Sequence, residues 1–166
     1  TEEISPSCYG LKSFKTLNKN DEFTLFKSSL GNSLKLTHGG GEVIIECLAK
    51  SVAVFVCSSN FNLKNNKPYN SVHRLERGDT ITVFDYHDFA PLLARCIAHS
   101  YEAVYRLLSW TIIRVSFIKG WGPNFKRQSP DDTPMWFEIK LIGPMNWLDR
   151  IIRQLVSPTS KCSSIT

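Results

Sequence analysis

Long apolar runs, metal-ligand spacings and nucleophile motifs are all missing from this 166-residue sequence. The longest apolar stretches, around Val52 to Cys57 and Trp110 to Ile118, fall far short of the roughly 20 residues needed to cross a bilayer as a helix. No charged-then-apolar leader opens the residues shown, so the expectation is a soluble, intracellular protein with no membrane insertion. Its five cysteines, Cys8, Cys47, Cys57, Cys96 and Cys162, include no Cys-x-x-Cys pair. Its four histidines, His38, His73, His87 and His99, lack zinc spacing, so neither a metal nor another cofactor is expected. Cys47 and Cys57 lie in strand-like runs where a free thiol behaves as a small hydrophobe, which fits a reducing compartment. No Gly-x-Ser-x-Gly elbow supports a hydrolase, and no catalytic residue is assigned. Gly39-Gly40-Gly41 is followed by no Gly-Lys-Ser/Thr, so it reads as a turn leading into a strand and not as a phosphate cradle.

What is present suits one packed domain. The chain is 42% apolar with no low-complexity tract or internal repeat, which is enough for one core and too little for two. Glu42 to Cys47, Val52 to Cys57, Thr80 to Phe84, Trp110 to Ile118 and Met135 to Leu141 are short and rich in β-branched or aromatic residues. Turn chemistry such as Arg77-Gly78-Asp79 and Asn65-Asn66-Lys67-Pro68 separates them, and they read as strands of a sandwich. Between Asp88 and Leu108, the residues Phe89, Leu92, Leu93, Cys96, Ile97, Val104, Leu107 and Leu108 recur at helical spacing. Pro91 suits a first turn, which makes Asp88 the expected N-cap. A second amphipathic helix follows Gly143-Pro144, with Leu148, Ile151, Ile152 and Leu155 on its apolar side, and stops near Ser157-Pro158. Asn18 to Asp21 reads as a turn or helix start, and Glu22 to Leu30 as a short helix. The expected organisation is a domain over residues 1–157 and a mobile tail over 158–166.

Charge and hydroxyls then point to a switch. The net charge of +5 is moderate, but Arg114, Lys119, Lys126 and Arg127 crowd one stretch around Lys119-Gly120-Trp121-Gly122. Cations on a Gly- and Trp-rich loop favour capture of an anion. The chain ends in Cys162-Ser163-Ser164-Ile165-Thr166, and a phosphate on Ser164 or Thr166 adds about −1.5 to −2 charge that such a loop can receive. Extended, the tail spans about 25 to 30 Å, far enough to touch a neighbouring subunit. Trp121 is read both as a packing anchor and as a member of the interface.

Several stretches resemble the C-terminal Mad-homology domain of Smad proteins. They are Gly40-Gly41-Glu42-Val43, Glu46-Cys47-Leu48, Tyr101 to Tyr105, Ile113 to Gly122, Gly143-Pro144, Trp147-Leu148-Asp149 and Cys162-Ser163-Ser164. The resemblance runs from about Cys8 to the end and is densest from Phe84 onward. It implies a mainly β fold with helices: a β-sandwich of the Smad/forkhead-associated type, with a helical bundle at one end and a loop-helix region at the other. It implies no enzyme. The expected role is an intracellular signal transducer and transcriptional regulator of the TGF-β superfamily pathway. A type I receptor serine/threonine kinase phosphorylates the tail, the domain assembles with a common-partner Smad as a possible homo- or hetero-trimer, and the complex moves from cytoplasm to nucleus and meets transcription cofactors.

By position, the resemblance makes Ser164 and Thr166 the phosphoacceptors, with Ser163 a hydroxyl usually left unmodified. Lys119, Arg74, Tyr105 and Arg127 match the phosphate-binding set, with Arg74 replacing a lysine. A guanidinium can fork onto phosphate while lysine adds a point charge. Lys126 and Ser129 match the receptor-specificity loop and favour the TGF-β/activin branch, since the BMP branch has histidine and aspartate there. Lys19, Asp149 and Trp121 match interface positions.

The chain also departs from the family. Its last acceptor is threonine, Lys19 replaces an arginine, and Asn65 and Lys67 replace an aromatic pair that forms part of a groove for an anchoring protein. The family's first strands are expected before Cys8, where only Thr1 to Ser7 stand. An alternative reading is therefore an atypical Smad-like adaptor that binds phosphorylated partners without forming the usual trimer. No DNA-binding Mad-homology domain is present in these residues, so direct DNA contact is not expected.

Overall fold

The computed structural model describes residues 7–10, as backbone, and 32–156. The turn and helix expected over residues 18–30, together with Lys19, Ser163, Ser164 and Thr166, lie outside the described residues.

Two four-stranded antiparallel sheets form the frame. One runs in the order β1 (Ser7–Gly10), β2 (Leu34–Gly39), β3 (Glu42–Cys47) and β6 (Thr80–Asp85). The other runs β5 (Val72–Leu75), β4 (Val54–Cys57), β7 (Ile112–Phe117) and β8 (Met135–Lys140). Alternation decides which face is buried. In β3, Val43, Ile45 and Cys47 turn inward, and on the second sheet Val54, Val56, Ile113, Val115 and Phe117 do the same. Each such side chain contributes roughly 1.5 to 3 kcal/mol by leaving water, which fixes register because a one-residue slip would expose the whole set. The fold is thus a mainly β sandwich with helices, as expected.

Gly40 and Gly41 close the β2–β3 hairpin at φ of 62° and 83°, with Gly39 opposite Glu42. A two-residue turn with both φ values positive matches the twist of the strands it joins and favours glycine.

Helices cover what the sheets leave open. Helix α1 (Ser59–Lys64) carries buried asparagines instead of an apolar stripe. Asn60 Oδ1 accepts from the Asp85 amide at 3.2 Å, and Asn62 Nδ2 donates to the carbonyls of Tyr69 at 3.0 Å and Ser71 at 2.9 Å. Ser58 caps it, accepting from the Phe61 amide at 3.2 Å. Side-chain hydrogen bonding thus ties a segment of poor helix propensity to β6 and to the loop before β5.

The helix expected from Asp88 to Leu108 is interrupted. Helix α2 (Tyr86–His99) starts three residues earlier than expected, with Asp85 as N-cap accepting from the His87 amide at 2.8 Å. Pro91 lies inside it, beyond the first turn. Asn60 holds the Asp85 backbone, so tertiary contacts outweigh the one helical hydrogen bond that proline removes. The chain breaks at Ser100, which adopts extended φ and ψ and caps α3 (Tyr101–Arg106) through the Ala103 amide at 3.1 Å. A 3₁₀ turn, Leu107–Thr111, takes up Trp110 and delays β7. Helix α4 (Ile142–Val156) begins two residues before Pro144, whose ring sits in the first turn where no donor is needed, and ends beside Ser157-Pro158. Its Leu148 is fully buried, and Trp147 lies 6.3 Å from the Tyr86 ring and 6.1 Å from the Phe89 ring. These rings join α2 to α4, and α3 packs against both through buried Val104, which completes the expected bundle.

No described helix is long and apolar enough to cross a membrane. Cys47 and Cys57 are free thiols that burial pushes up in pKa, so both stay protonated near neutral pH.

Candidate anion-binding loop

Residues 118–133 fold back over the outer face of the second sheet. The chain leaves β7 through a γ-turn: the Lys119 amide donates to the Phe117 carbonyl at 2.8 Å, with Ile118 at φ 71°. Positive φ is uncommon for a β-branched residue and persists only when its surroundings hold it. Two bonds do so here, Ile118 N–H to the Ala53 carbonyl at 2.8 Å and Ser116 Oγ–H to the Lys119 carbonyl at 2.7 Å. The Lys119 side chain is left exposed.

Further along, the loop braces itself. The Gly122 amide donates to the Arg127 carbonyl at 2.7 Å, the Phe125 amide to the Gly122 carbonyl at 3.0 Å, and Arg127 Nε to the Asp132 carbonyl at 3.0 Å. Ser129 caps the 3₁₀ turn Pro130–Asp132 in a reciprocal capping box with Asp132. Its hydroxyl also donates to Asp131 at 3.2 Å, so this candidate receptor-specificity residue has a structural task in the free chain. Trp121 is 4% exposed, which makes it the anchor of the loop. One side of it lines a cleft of about 360 Å³ with Cys57, Tyr69, Ser109, Arg114 and Ser129.

Two other candidates are placed by strand register. Phe55 of β4 pairs with Arg74 on one side and with Ser116 on the other. Two strand spacings of about 4.8 Å put the Arg74 and Ser116 backbones about 10 Å apart on the same outer face, with Lys119 just beyond Ser116. Arg74 is largely exposed and, among the described residues, pairs with Glu76 at 3.8 Å. Among the described residues no ion pair engages Lys119, Lys126 or Arg127, whereas Arg114 is held by Glu138 at 3.2 Å.

The remaining candidates stand apart. Tyr105 is on α3, exposed, with its ring stacked on Tyr101 at 6.1 Å. The bundle and the loop approach at the cleft, through Ser109. Asp149 is exposed on α4 and pairs with Arg153 at 2.9 Å, the surface ion pair that its helical position favours. Sequence reasoning missed Phe125, whose ring meets Phe55 edge-on at 5.5 Å. The signal was an aromatic residue directly before the Lys126-Arg127 pair.

The site is thus a cross-tied loop carrying exposed Lys119 and Lys126 and half-buried Arg127, a candidate receiver of oxyanions. A family model for the MH2 domain matches residues 1–142. The chain belongs to the MH2 domain family. MH2 domains are protein-interaction domains, not enzymes, and they serve Smad-family signal transduction. In this MH2 domain the matched region ends at the first residue of α4, and the candidate loop lies wholly within it.

Proposed function

We propose that this MH2 domain is a receptor-regulated Smad effector of the TGF-β/activin branch. A type I receptor kinase phosphorylates Ser164 and Thr166 in the tail segment 158–166. The phosphates of one subunit then bind Lys119, Arg74 and Arg127 of another, with Tyr105 adding a hydroxyl. The assembly includes a common-partner Smad and moves from cytoplasm to nucleus, where it meets transcription cofactors without touching DNA itself. Lys126 and Ser129 form the receptor-matching part of the loop, and Lys19 and Asp149 brace the intersubunit contact.

The observation that carries this reading is the exposed Lys119, held by Ser116 on the same outer face of the sheet as Arg74 and engaged in no ion pair among the described residues. Each charge-assisted contact to phosphate contributes about 1.5 to 3 kcal/mol before the ordering of the tail is subtracted. The test is intact-protein and tail-peptide mass spectrometry after incubation with an activated type I receptor kinase, followed by light scattering with a common-partner Smad. Phosphate on Ser164 and Thr166 with a trimer-sized species supports the proposal, and absence of both refutes it.

A second reading, an adaptor that binds phosphorylated partners without trimerising, draws on Asp149. The acid expected at the intersubunit contact is already paired within its own helix. A phosphorylated chain that binds phosphopeptide but stays monomeric with a common-partner Smad selects that reading.

A further inference from the structure

Phe125 links both halves of the anion-binding loop to the sheet. Its ring stands edge-on to Phe55 at 5.5 Å and an interplanar angle of 88°. Phe55 is 5% exposed and lies in register between Arg74 and Ser116. Ser116 in turn holds the Lys119 carbonyl at 2.7 Å. On its other side the Phe125 ring lies against Gly120, where a Cβ would come within 2.5 Å of the ring. Residues 126 and 127 follow Phe125 directly, and the Arg127 carbonyl receives the Gly122 amide. The ring is therefore wedged between β4, whose Phe55 sits in register between Arg74 and Ser116, and the turn that carries Lys119.

We infer that Phe125 is the positioning residue of this site, its ring setting the spacing between Lys119 and the Lys126-Arg127 pair. Phe125 presents no polar group to a ligand, so it acts only through the cations. A backbone loop tied by hydrogen bonds alone can pivot about them, whereas an aromatic ring packed edge-on has one preferred arrangement. Gly120 is the matching requirement, because any side chain there would meet the ring. The inference rests on the phosphate-receiving reading of the loop for its consequence in binding, but not for its geometry.

The test uses the 166-residue chain and a synthetic peptide of residues 159–166 phosphorylated at Ser164 and Thr166. Phe125→Leu keeps apolar volume and loses the ring; Phe125→Tyr keeps the ring. Phe125→Leu is expected to weaken peptide binding about tenfold, the loss of about one charge-assisted hydrogen bond, while Phe125→Tyr stays within about twofold of wild type. In a Lys119→Ala background the same leucine substitution is expected to add less than about twofold, because residues acting as one unit are non-additive. Wild-type affinity in Phe125→Leu, or a full additive loss on top of Lys119→Ala, overturns the inference. Amide exchange without ligand separates the two readings. If the wild-type chain binds no phosphopeptide, the phosphate reading fails, and faster exchange of the Gly122 amide in Phe125→Leu alone upholds the positioning role. Unchanged exchange there overturns it.

Discussion

Ser116 and Lys119 are joined across a γ-turn by one hydrogen bond, from the buried Ser116 hydroxyl to the Lys119 carbonyl at 2.7 Å. That bond lets a strained exit from β7 present a cation outward while its backbone stays bound to the sheet. Removing it tests the arrangement. Ser116→Ala is expected to cost about 0.5 to 1.5 kcal/mol in urea unfolding, the net worth of one such bond. A variant as stable as wild type would show that the loop is held elsewhere.

Gly120 tests the fit between loop and ring. A methyl group there falls 2.5 Å from Phe125 Cε1, inside contact distance for any real pair of carbons. Gly120→Ala is expected to destabilise the domain by about 1 to 3 kcal/mol through overpacking, read as a lower unfolding midpoint. An unchanged midpoint would mean that the ring swings aside freely.

Asp85 gives a pH dependence. Burial alone would raise its carboxyl pKa, yet hydrogen bonds from the His87 amide, the Lys64 ammonium and the His87 ring outweigh burial and hold it below the usual carboxylate range. A depressed folded value stabilises the native state fully above the unfolded pKa of about 3.9. That contribution disappears as pH falls through the lower folded value. Lys64, which binds Asp88 at 2.8 Å and Asp85 at 3.2 Å, is raised by the same contacts, so its contribution is present below its unfolded pKa and lost only as pH rises through the folded one. Asp85→Asn is expected to be less stable than wild type at pH 7, with the gap closing below about pH 4. Parallel stability curves for the two proteins, followed by circular dichroism, would contradict this assignment.

Leu148 tests whether α4, which lies almost wholly beyond the residues matched by the family, is integral to the domain. It is fully buried in the common core. Leu148→Ala is expected to cost about 2 to 5 kcal/mol, measured by chemical unfolding, with a single transition. A cost below about 1 kcal/mol would mean that α4 docks loosely and its cavity collapses at little penalty.

Much of this architecture was legible in the residues. Strand β3 matches its expected span because Val43, Ile45 and Cys47 alternate cleanly, and β8 differs by one residue. Strand β5 escaped notice because Val-His-Arg-Leu is short and half polar, as suits a sheet edge. Helix α1 was hidden because it carries Asn60 and Asn62 where periodicity looks for apolar groups, and those asparagines act only through partners 7 to 25 residues away. The break at Ser100 was masked by an apolar pattern that runs on from Cys96 to Val104, although serine before Tyr-Glu is an N-cap signal. Within the site, Lys119 and Arg127 could be assigned to one loop from sequence. The part played by Ser116 and Phe125 could not, because it depends on register against Phe55.

Calorimetric titration with the tail peptide phosphorylated at Ser164 and Thr166, comparing the wild-type chain with Lys119→Ala, decides whether the loop receives the tail. Wild-type binding is expected to be saturable and to weaken about tenfold or more in Lys119→Ala with no change in unfolding midpoint, since that side chain is exposed and makes no ion pair among the described residues. Equal affinity in the two proteins, or no dependence on the phosphates, would contradict it.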